Sequence, residues 1–157
     1  MKRMRLYVDT SVIGGCLDDE FAKDSCRLME AAKAGRVTLL VSAIMARELD
    51  SGPPELQAVL EKLPPEAFED VPLTEEILAL RDAYIDAHVV GPRCLDDAGH
   101  VAAATVARAD AIVSWNFRHI VRLDKIKAYN QANLLNGYGY LVIVSPKEVQ
   151  FDDTDES

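Results

Sequence analysis

The stretch LDDAGHVAAATVARADAIVSWN, residues 95–116, decides the fold class. Its first half predicts a helix, because Asp96 or Asp97 can begin one and the alanines that follow have little side-chain bulk, which lets the backbone lie close to a sheet. Residues 111–114 are short and apolar and predict a buried strand. A helix that leads directly into a buried strand is the repeating unit of an α/β protein.

The same alternation extends in both directions along the chain. We expect strands at residues 4–8, 37–41, 68–73, 111–114 and 140–144, and helices at residues 18–34, 43–49, 56–63, 74–89, 97–107 and 124–135. Gly35 is expected to end the first of these helices, and Gly91 with Pro92 to end the fourth. Strands that alternate with helices predict a mainly parallel sheet with helices on both faces, which is a three-layer α/β/α sandwich.

Length and composition fit one domain of an intracellular protein. In a chain of 157 residues we expect a single domain over residues 1–149, followed by a disordered acidic tail over residues 150–157. No apolar run is long enough to span a membrane, and the first nine residues leave no room for the apolar part of a signal peptide. We therefore expect a cytoplasmic protein without a membrane partner.

The three cysteines, Cys16, Cys26 and Cys94, occur without a CxxC motif. Their odd number argues against a disulfide framework and fits a reducing compartment. A cysteine nucleophile would need a histidine nearby in the fold, so the simpler expectation is that all three are buried small apolar residues. Scattered histidines without paired cysteines also argue against a zinc site.

The formal net charge of −9 taken alone argues against a nucleic acid as partner. Four of the negative charges lie in the acidic tail, however, and a cation bound to the protein would offset others. Residues 118–127 form the most basic region after the amino terminus, with four permanent cations and one permanent anion. This region is either a nucleic-acid contact or the solvated face of a helix.

Four acidic or amide residues occur where strands end or helices begin. Asp9 follows the first strand, and Glu48 lies in the helix after the second strand. Asp97 begins the alanine-rich helix, and Asn116 follows the strand that comes after it. In a parallel sheet, ligands bind beyond the carboxyl ends of the strands. Carboxylates gathered there repel one another unless a cation lies between them, so the pattern predicts a hard divalent metal ion with oxygen ligands and chemistry on a phosphate.

Each of these residues also has a simpler explanation. Asp9 could belong to a cluster of helix-capping residues, and Asp97 could be a helix N-cap and nothing more. Glu48 could be an ordinary surface glutamate. Asp96, beside Asp97, is either the N-cap of that helix or an auxiliary ligand, and the N-cap is the expected role because adjacent residues at a helix start point apart. Only the joint pattern on one edge of the sheet favours a metal site.

Four segments of the chain resemble those of a known protein family: LYVDTSVIGG (6–15), VSAIMARELD (41–50), LDDAGHVAAATVARADAIVSWNFRHI (95–120) and NQANLLNGYGYLVIVSPKEV (130–149). Together they resemble the PIN-domain family and, more narrowly, the VapC-type toxins of prokaryotic toxin–antitoxin pairs. The likeness runs from about residue 5 to residue 149. It lies in the order and spacing of the motifs, since an Asp after a strand is common by itself.

The resemblance implies a Mg²⁺- or Mn²⁺-dependent endoribonuclease, a hydrolase that cuts RNA phosphodiester bonds. It implies that Asp9 and Asp97 are the main metal ligands and that Glu48 holds or orients a water molecule on the metal. The fourth family position, often Asp, falls on Asn116. This departure leaves an amide oxygen that can ligate or accept a hydrogen bond but adds no charge, so we expect one metal ion rather than two.

Other residues are candidates for supporting roles. The candidates for contact with RNA phosphates are Arg118, His119, Arg122, Lys125 and Lys127. Ser11 and His100 are auxiliary candidates at the site, although a hydrogen-bonded position in the core is the simpler expectation for His100. Trp115 is expected to pack beside the site, with base stacking as the alternative.

The resemblance also implies partners. A cognate antitoxin is expected to cover the groove and to place a basic side chain among the carboxylates, and a homodimer is expected. Two other functions stay open. A non-catalytic RNA- or protein-binding module would explain Asn116 as decay, although the three retained carboxylates argue against it. A phosphatase of the haloacid-dehalogenase type would use Asp9 as nucleophile, but it requires a second Asp where this chain has Ser11.

Overall fold

A computed structural model describes residues 3–151, and its centre is a parallel sheet. The strands are β1 (Met4–Val8), β2 (Val37–Ser42), β3 (Phe68–Val71), β4 (Ala111–Val113) and β5 (Ile143–Val144). Their order across the sheet is β3-β2-β1-β4-β5, and each strand runs parallel to its neighbours. Val8 pairs with Val113, so the residues that follow β1 and β4 leave the same edge of the sheet side by side. Residues 152–157 of the expected acidic tail lie outside the described part of the chain.

Helices cover both faces of this sheet. They are α1 (Thr10–Gly15), α2 (Ala22–Lys33), α3 (Ala43–Asp50), α4 (Pro54–Glu61), α5 (Glu75–Asp86), α6 (Leu95–Val106) and α7 (Leu123–Leu135). Short 3-10 turns lie at Pro65–Ala67, Pro92–Cys94 and Pro146–Glu148. The expected three-layer α/β/α sandwich is therefore confirmed. Within residues 3–151, no helix is long and apolar enough to cross a membrane.

Side chains of the central strands alternate between two cores. Tyr7, Leu40 and Ile112 pack against α5, α6 and α7 on one face. Leu6 and Val113 pack against α1, α2 and α3 on the other face, where α4 adds partly buried apolar side chains. Because both faces are covered, the central strands β1, β2 and β4 are mostly apolar, as expected for a parallel sheet, whereas the edge strand β3 carries Glu69 and Asp70.

The alanine-rich helix α6 lies close to its neighbours, as its sequence predicts. Its residues from Ala98 to Thr105 are all buried. A Cβ atom added at Gly99 would lie 2.7 Å from Cδ1 of Ile44, so α6 and α3 approach each other closely at this point. This approach brings the start of α6 next to the helix that carries Glu48.

Helix boundaries differ from the sequence-based expectation by two residues at α4 (Pro54–Glu61, expected 56–63) and at the start of α6 (Leu95, expected 97), and by more at α2 and α5. The first helix was expected at residues 18–34, but α2 spans Ala22–Lys33 and a separate short helix, α1, precedes it. Gly35 ends α2 with a φ of 79°, which confirms its expected role. Helix α5 ends at Asp86 and not near residue 89, because His88 adopts a φ of 59° and the Val89 N–H turns back to donate to the Tyr84 carbonyl at 3.0 Å.

Three strands are shorter than expected. β3 ends at Val71 instead of residue 73, β4 ends at Val113 instead of residue 114, and β5 consists of Ile143 and Val144 alone. β5 begins late because the backbone of Leu141 bonds to a side chain instead of to a neighbouring strand. Oδ1 of Asn130 accepts from the Leu141 N–H at 2.6 Å, and Nδ2 of Asn130 donates to the Leu141 carbonyl at 3.0 Å.

Candidate active site

Asp9 lies at the carboxyl end of β1 and immediately before α1. It is buried, and its two carboxylate oxygens accept hydrogen bonds from Ser11 Oγ at 2.6 Å and Ser114 Oγ at 2.8 Å. Although Asp9 occupies the N-cap position of α1, its side chain makes no capping hydrogen bond. The carboxylate is thus fixed by two hydroxyl groups rather than used to end a helix.

The environment of Asp9 disfavours its charge. Burial raises the pKa of Asp9, and the negative charge of Glu48 raises it further. The charge of His100 and the hydrogen bonds from Ser11 and Ser114 act in the opposite direction without cancelling the effect. A buried carboxyl group in this condition is one that a cation would stabilise in its charged form.

Glu48, on α3, is held by two neighbours. Its Oε1 atom lies 2.7 Å from Thr10 Oγ1, which donates to it, and 2.7 Å from Nε2 of His100. Burial alone would raise the pKa of Glu48, but the hydrogen bond and charge of His100, with the bond from Thr10, bring that pKa below its usual value. Glu48 is therefore charged at neutral pH and held in one position, unlike an ordinary surface glutamate.

His100 completes a buried hydrogen-bond network. It is 1% exposed, and its Nδ1 atom lies 2.7 Å from the Tyr7 hydroxyl, which is 2.8 Å from Ser42 Oγ. An ionised Glu48 can only accept, so Nε2 of His100 carries the donated hydrogen. His100 thus has the hydrogen-bonded core position that was the simpler expectation for it.

Asp97 is the third residue of α6 and is half-buried. Burial raises its pKa, and the negative charges of Asp9 and Glu48 raise it further, while His119 and His100 act against them. No side-chain hydrogen bond of Asp97 is present in residues 3–151. Its carboxylate oxygens therefore keep their acceptor sites, which leaves Asp97 the carboxylate best prepared to take a ligand.

Asp97 also belongs to a tight group with two residues of different chemistry. Within the described residues, the group of ligating side chains whose ligand atoms all lie within 4.8 Å of one another consists of Cys94, Asp97 and His119. Asp9 and Glu48 influence the pKa of Asp97 from outside this group. His119, expected to contact RNA phosphate, thus has its ring beside Asp97.

Asp96 does not cap its helix, so that expectation was wrong. Helix α6 begins one residue earlier, at Leu95, and its N-cap position is Cys94. Oδ1 of Asp96 instead accepts from Arg47 at 2.5 Å in a largely exposed ion pair. Because Arg47 precedes Glu48, this ion pair joins α3 to the start of α6 at the rim of the site.

Asn116 holds the loop that follows β4. Its Oδ1 atom accepts hydrogen bonds from the backbone N–H groups of Arg118 at 3.1 Å and His119 at 2.8 Å. A carbonyl oxygen has two acceptor sites, and both are used here. This oxygen positions the His119 loop, instead of remaining free for the outer-ligand role that the resemblance implied.

The basic stretch is divided between a loop and the start of α7. Arg122 forms two hydrogen bonds with Asp124, at 2.6 and 2.7 Å, and lowers the pKa of that carboxyl group to about 2. Lys125 donates to the Val89 carbonyl at 2.6 Å. Arg118 and Lys127 are exposed, and neither side chain has a hydrogen bond or ion pair in the described part of the chain. These two cations are the ones left available to a partner.

Two further candidates have structural contacts. Ser11 donates to Asp9 and accepts from the Trp115 N–H at 2.9 Å, so it ties the end of β1 to the segment after β4. Trp115 is buried, with its ring stacked on Phe21 at a centroid distance of 4.2 Å and its Nε1 donating to Ser25. Trp115 therefore packs beside the site, as expected, and does not present its ring for base stacking.

Sequence reasoning missed several residues that shape the site. Thr10, Tyr7 and Ser114 were not assigned roles, and no local pattern marks them, because their partners are distant in the chain. Cys94 could have been found, since it precedes Asp97 by three residues and this spacing puts both on one side of a helix start. The expectation that all three cysteines are buried was wrong: Cys26 is exposed, and Cys16 and Cys94 are partly exposed.

The comparisons with known proteins show the fold. No family model matches the chain, and no curated protein matches it. Among solved structures, VapBC2 from Rickettsia felis bound to a DNA fragment from their promoter has a TM-score of 0.58 at 14% identity, over 90% of this chain and 98% of that one. FitAcB from Neisseria gonorrhoeae has a TM-score of 0.58 at 14% identity, over 92% of this chain and 99% of that one.

A third structure, FitAB bound to IR36 DNA fragment, has a TM-score of 0.58 at 13% identity and covers 93% of this chain and 98% of that one. At such low identity the likeness shows a shared fold. The PIN-like α/β/α sandwich that the sequence resemblance implied is therefore confirmed.

Proposed function

We propose that this chain is a metal-dependent endoribonuclease and the toxin of a toxin–antitoxin pair. The observation that carries the proposal is the convergence of Asp9, Glu48 and Asp97, which come from the end of β1, from α3 and from the start of α6. The charges of Asp9 and Glu48 raise the pKa of Asp97. The VapC-type motifs in the sequence and the likeness of the fold to VapBC2 support the same class of protein.

The donor set fits a hard divalent cation. All three groups offer carboxylate oxygens, which Mg²⁺ and Mn²⁺ prefer. Asp9 and Asp97 have raised pKa values that a nearby cation would lower. When bound, such an ion supplies the positive charge that activates water and stabilises the negative charge that develops on a phosphodiester.

The three carboxylates have different tasks in this proposal. Asp97, which has no hydrogen-bonding partner among residues 3–151, and Asp9, which Ser11 and Ser114 hold in place, would ligate the ion. Glu48 is kept charged and immobile by His100 and Thr10, so it would orient the attacking water. Holding the phosphate in line with that water would lower the activation free energy of cleavage further.

RNA would approach the exposed cations of the adjoining segment. Arg118 and Lys127 are the main proposed phosphate contacts because they are exposed and free within the described residues. Arg122 and Lys125 would contribute less, since Asp124 and the Val89 carbonyl already engage them. The acidic net charge of the chain is compatible with this arrangement because binding depends on local charge.

The partners follow from the same class of protein. We propose that residues 1–149 form the nuclease domain, that the chain is cytoplasmic and forms a homodimer, and that an antitoxin segment inhibits it by placing a basic side chain near Asp97. A small upstream reading frame that overlaps this gene and encodes a DNA-binding amino terminus would support the toxin assignment. Its absence, together with a monomer in sedimentation, would argue for a nuclease outside a toxin–antitoxin pair.

Single-turnover cleavage of a structured RNA tests the proposal. Cleavage is expected in Mg²⁺ or Mn²⁺, loss is expected with a chelator, and a strong decrease is expected in Asp97→Asn. Asp96→Asn is the matched control, because it removes the same charge at the neighbouring position, where the carboxylate only pairs with Arg47. If Asp97→Asn cuts as fast as the parent, the proposal is wrong.

A non-catalytic binding module is the second candidate. It is favoured by Asn116, whose side-chain oxygen is already taken up by the loop, and it predicts RNA binding without metal-dependent cleavage. The phosphatase alternative is less well supported, because Asp9 is only 4% exposed and Ser11 donates to it where that family requires a second Asp.

A further inference from the structure

Cys94, Asp97 and His119 form a group with sulfur, oxygen and nitrogen ligand atoms. All of these atoms lie within 4.8 Å of one another. A tetrahedral zinc ion with ligand distances of about 2.0–2.3 Å would separate its ligand atoms by about 3.3–3.8 Å. The separation of the ligand atoms is therefore close to what one ion requires, and all three residues are partly exposed, which leaves a route of entry.

The backbone fixes two members of this group relative to each other. Cys94 ends the 3-10 turn Pro92–Cys94, and Asp97 lies three residues later in the first turn of α6. Residues three apart at a helix start face the same side. The spacing is thus set by the backbone of the 3-10 turn and of the first turn of α6.

Two hydrogen bonds fix the backbone of the third member, His119. Its N–H donates to Oδ1 of Asn116 at 2.8 Å, and its carbonyl accepts from the Tyr129 hydroxyl at 2.9 Å. Tyr129 is buried on α7, so its hydroxyl supports the loop that presents His119 from the interior of the protein.

Contrary to the expectation from the scattered histidines, we propose that Cys94, Asp97 and His119 form a binding site for a thiophilic divalent ion, of which Zn²⁺ is the representative, with a fourth position left to water. The mixed donor set is softer than a set of carboxylates, so it selects Zn²⁺ over Mg²⁺. This site is distinct from the proposed nuclease centre in two of its ligands and shares only Asp97 with it.

Sharing Asp97 has a consequence that rests on the proposed nuclease function. A zinc ion in this site engages the carboxylate that the catalytic ion needs, so Zn²⁺ is an inhibitor that competes with Mg²⁺. Removal of the Cys94 thiol then relieves inhibition by zinc and leaves the three carboxylates of the nuclease centre unchanged.

Cobalt substitution in the full-length protein tests the site independently of activity. Co²⁺ bound to a thiolate gives a charge-transfer band in the near ultraviolet, and we expect this band in the parent protein and its disappearance when Zn²⁺ is added. Cys94→Ser should abolish the band and weaken Zn²⁺ binding at least about tenfold, the lower end of what loss of even an indirect partner costs. Cys26→Ser, at an exposed cysteine outside the group, is the matched control and should keep both.

A second variant guards against a folding defect in Cys94→Ser. His119→Asn leaves the backbone hydrogen bonds of the loop available and should also weaken Zn²⁺ binding at least about tenfold, with circular dichroism unchanged. The proposal is overturned if Co²⁺ gives no thiolate band, or if the band survives Cys94→Ser. Zinc binding with no RNA cleavage would leave this site intact and remove only the nuclease proposal.

Discussion

Nε2 of His100 lies 2.7 Å from Oε1 of Glu48, and this contact joins helices that pack on opposite faces of the sheet. The other ring nitrogen of His100 meets the Tyr7 hydroxyl on β1. A buried chain of hydrogen bonds therefore runs from Ser42 through Tyr7 and His100 to Glu48. The same atoms that support the packing of α3 and α6 keep the Glu48 carboxylate charged and oriented.

Removing the Tyr7 hydroxyl should destabilise the fold. In Tyr7→Phe, the Nδ1 atom of His100 and the Ser42 hydroxyl lose their buried partner, which costs about 1–3 kcal/mol of unfolding free energy. Urea unfolding measures this loss. Tyr140→Phe, at a tyrosine that is 67% exposed, should change stability by no more than about 0.5 kcal/mol. Equal effects of the two substitutions would mean that the network contributes nothing.

Asp97→Asn should stabilise the metal-free protein at neutral pH. The folded-state pKa of Asp97 is raised, so its contribution is favourable below its unfolded pKa of about 3.9 and is lost as pH rises through the folded pKa. Asp97→Asn cannot ionise, so the variant does not lose this stability as pH rises. Melting curves with chelator, from about pH 4 to pH 7, should show a gain for Asp97→Asn that grows with pH.

Asp96→Asn controls for the loss of a charge in the same turn. Because Asp96 pairs with Arg47 at the exposed rim, its replacement should not stabilise the protein at any pH. If Asp97→Asn melts at or below the melting temperature of the parent at neutral pH, burial and the neighbouring carboxylates do not destabilise the charged form of Asp97.

Millimolar Mg²⁺ or Mn²⁺ should raise the melting temperature of the parent protein. A cation that binds the folded state alone stabilises it by mass action, and it also relieves the unfavourable charges of Asp9 and Asp97. Asp97→Asn should blunt the rise because it removes a ligand. Identical melting curves of the parent with and without metal would contradict the metal site.

The sequence alone predicted the layers of the fold, because strand and helix periods are local, and it singled out Asp9, Glu48 and Asp97, of which the first two act on the third through their charges. It did not predict which atoms those groups engage. Asp96 forms an ion pair with Arg47, and the side chain of Asn130 hydrogen-bonds to the backbone of Leu141. Both contacts depend on partners that only the folded chain brings near. The group of Cys94 with His119 was missed for the same reason.

Arg118 should carry more of the salt dependence of RNA binding than Arg122. Arg118 is exposed with no ion pair in the described residues, whereas Arg122 is neutralised by Asp124 beside it. Arg118→Gln should lower the salt slope by about one ion equivalent, and Arg122→Gln by less.

The quadruple reversal of Arg118, Arg122, Lys125 and Lys127 to Glu should weaken RNA binding and flatten its salt dependence while metal binding stays intact. An unchanged slope in that variant would identify the stretch as a solvated face.

Substitutions at Asn116 should separate support of the loop from ligation of a metal. Asp9→Asn and Asp97→Asn remove charge from the proposed metal centre, so each should lower single-turnover RNA cleavage by roughly a hundredfold or more, which corresponds to about 3 kcal/mol of barrier. Asn116→Ala removes the oxygen that holds the Arg118 and His119 N–H groups, so it should lower cleavage less than either change.

Asn116→Asp supplies the decisive comparison. An aspartate keeps an oxygen for the N–H groups of Arg118 and His119. It also restores the acidic residue that is commoner at this position in the family that the sequence resembles, so cleavage should equal or exceed that of the parent. A loop role predicts that Asp rescues what Ala loses, and Zn²⁺ binding at His119 should recover in parallel, since the same two hydrogen bonds present that ring. If Asn116→Ala abolishes cleavage as fully as Asp97→Asn while Zn²⁺ binding is unchanged, Asn116 acts on the catalytic ion itself and the loop role assigned here is wrong.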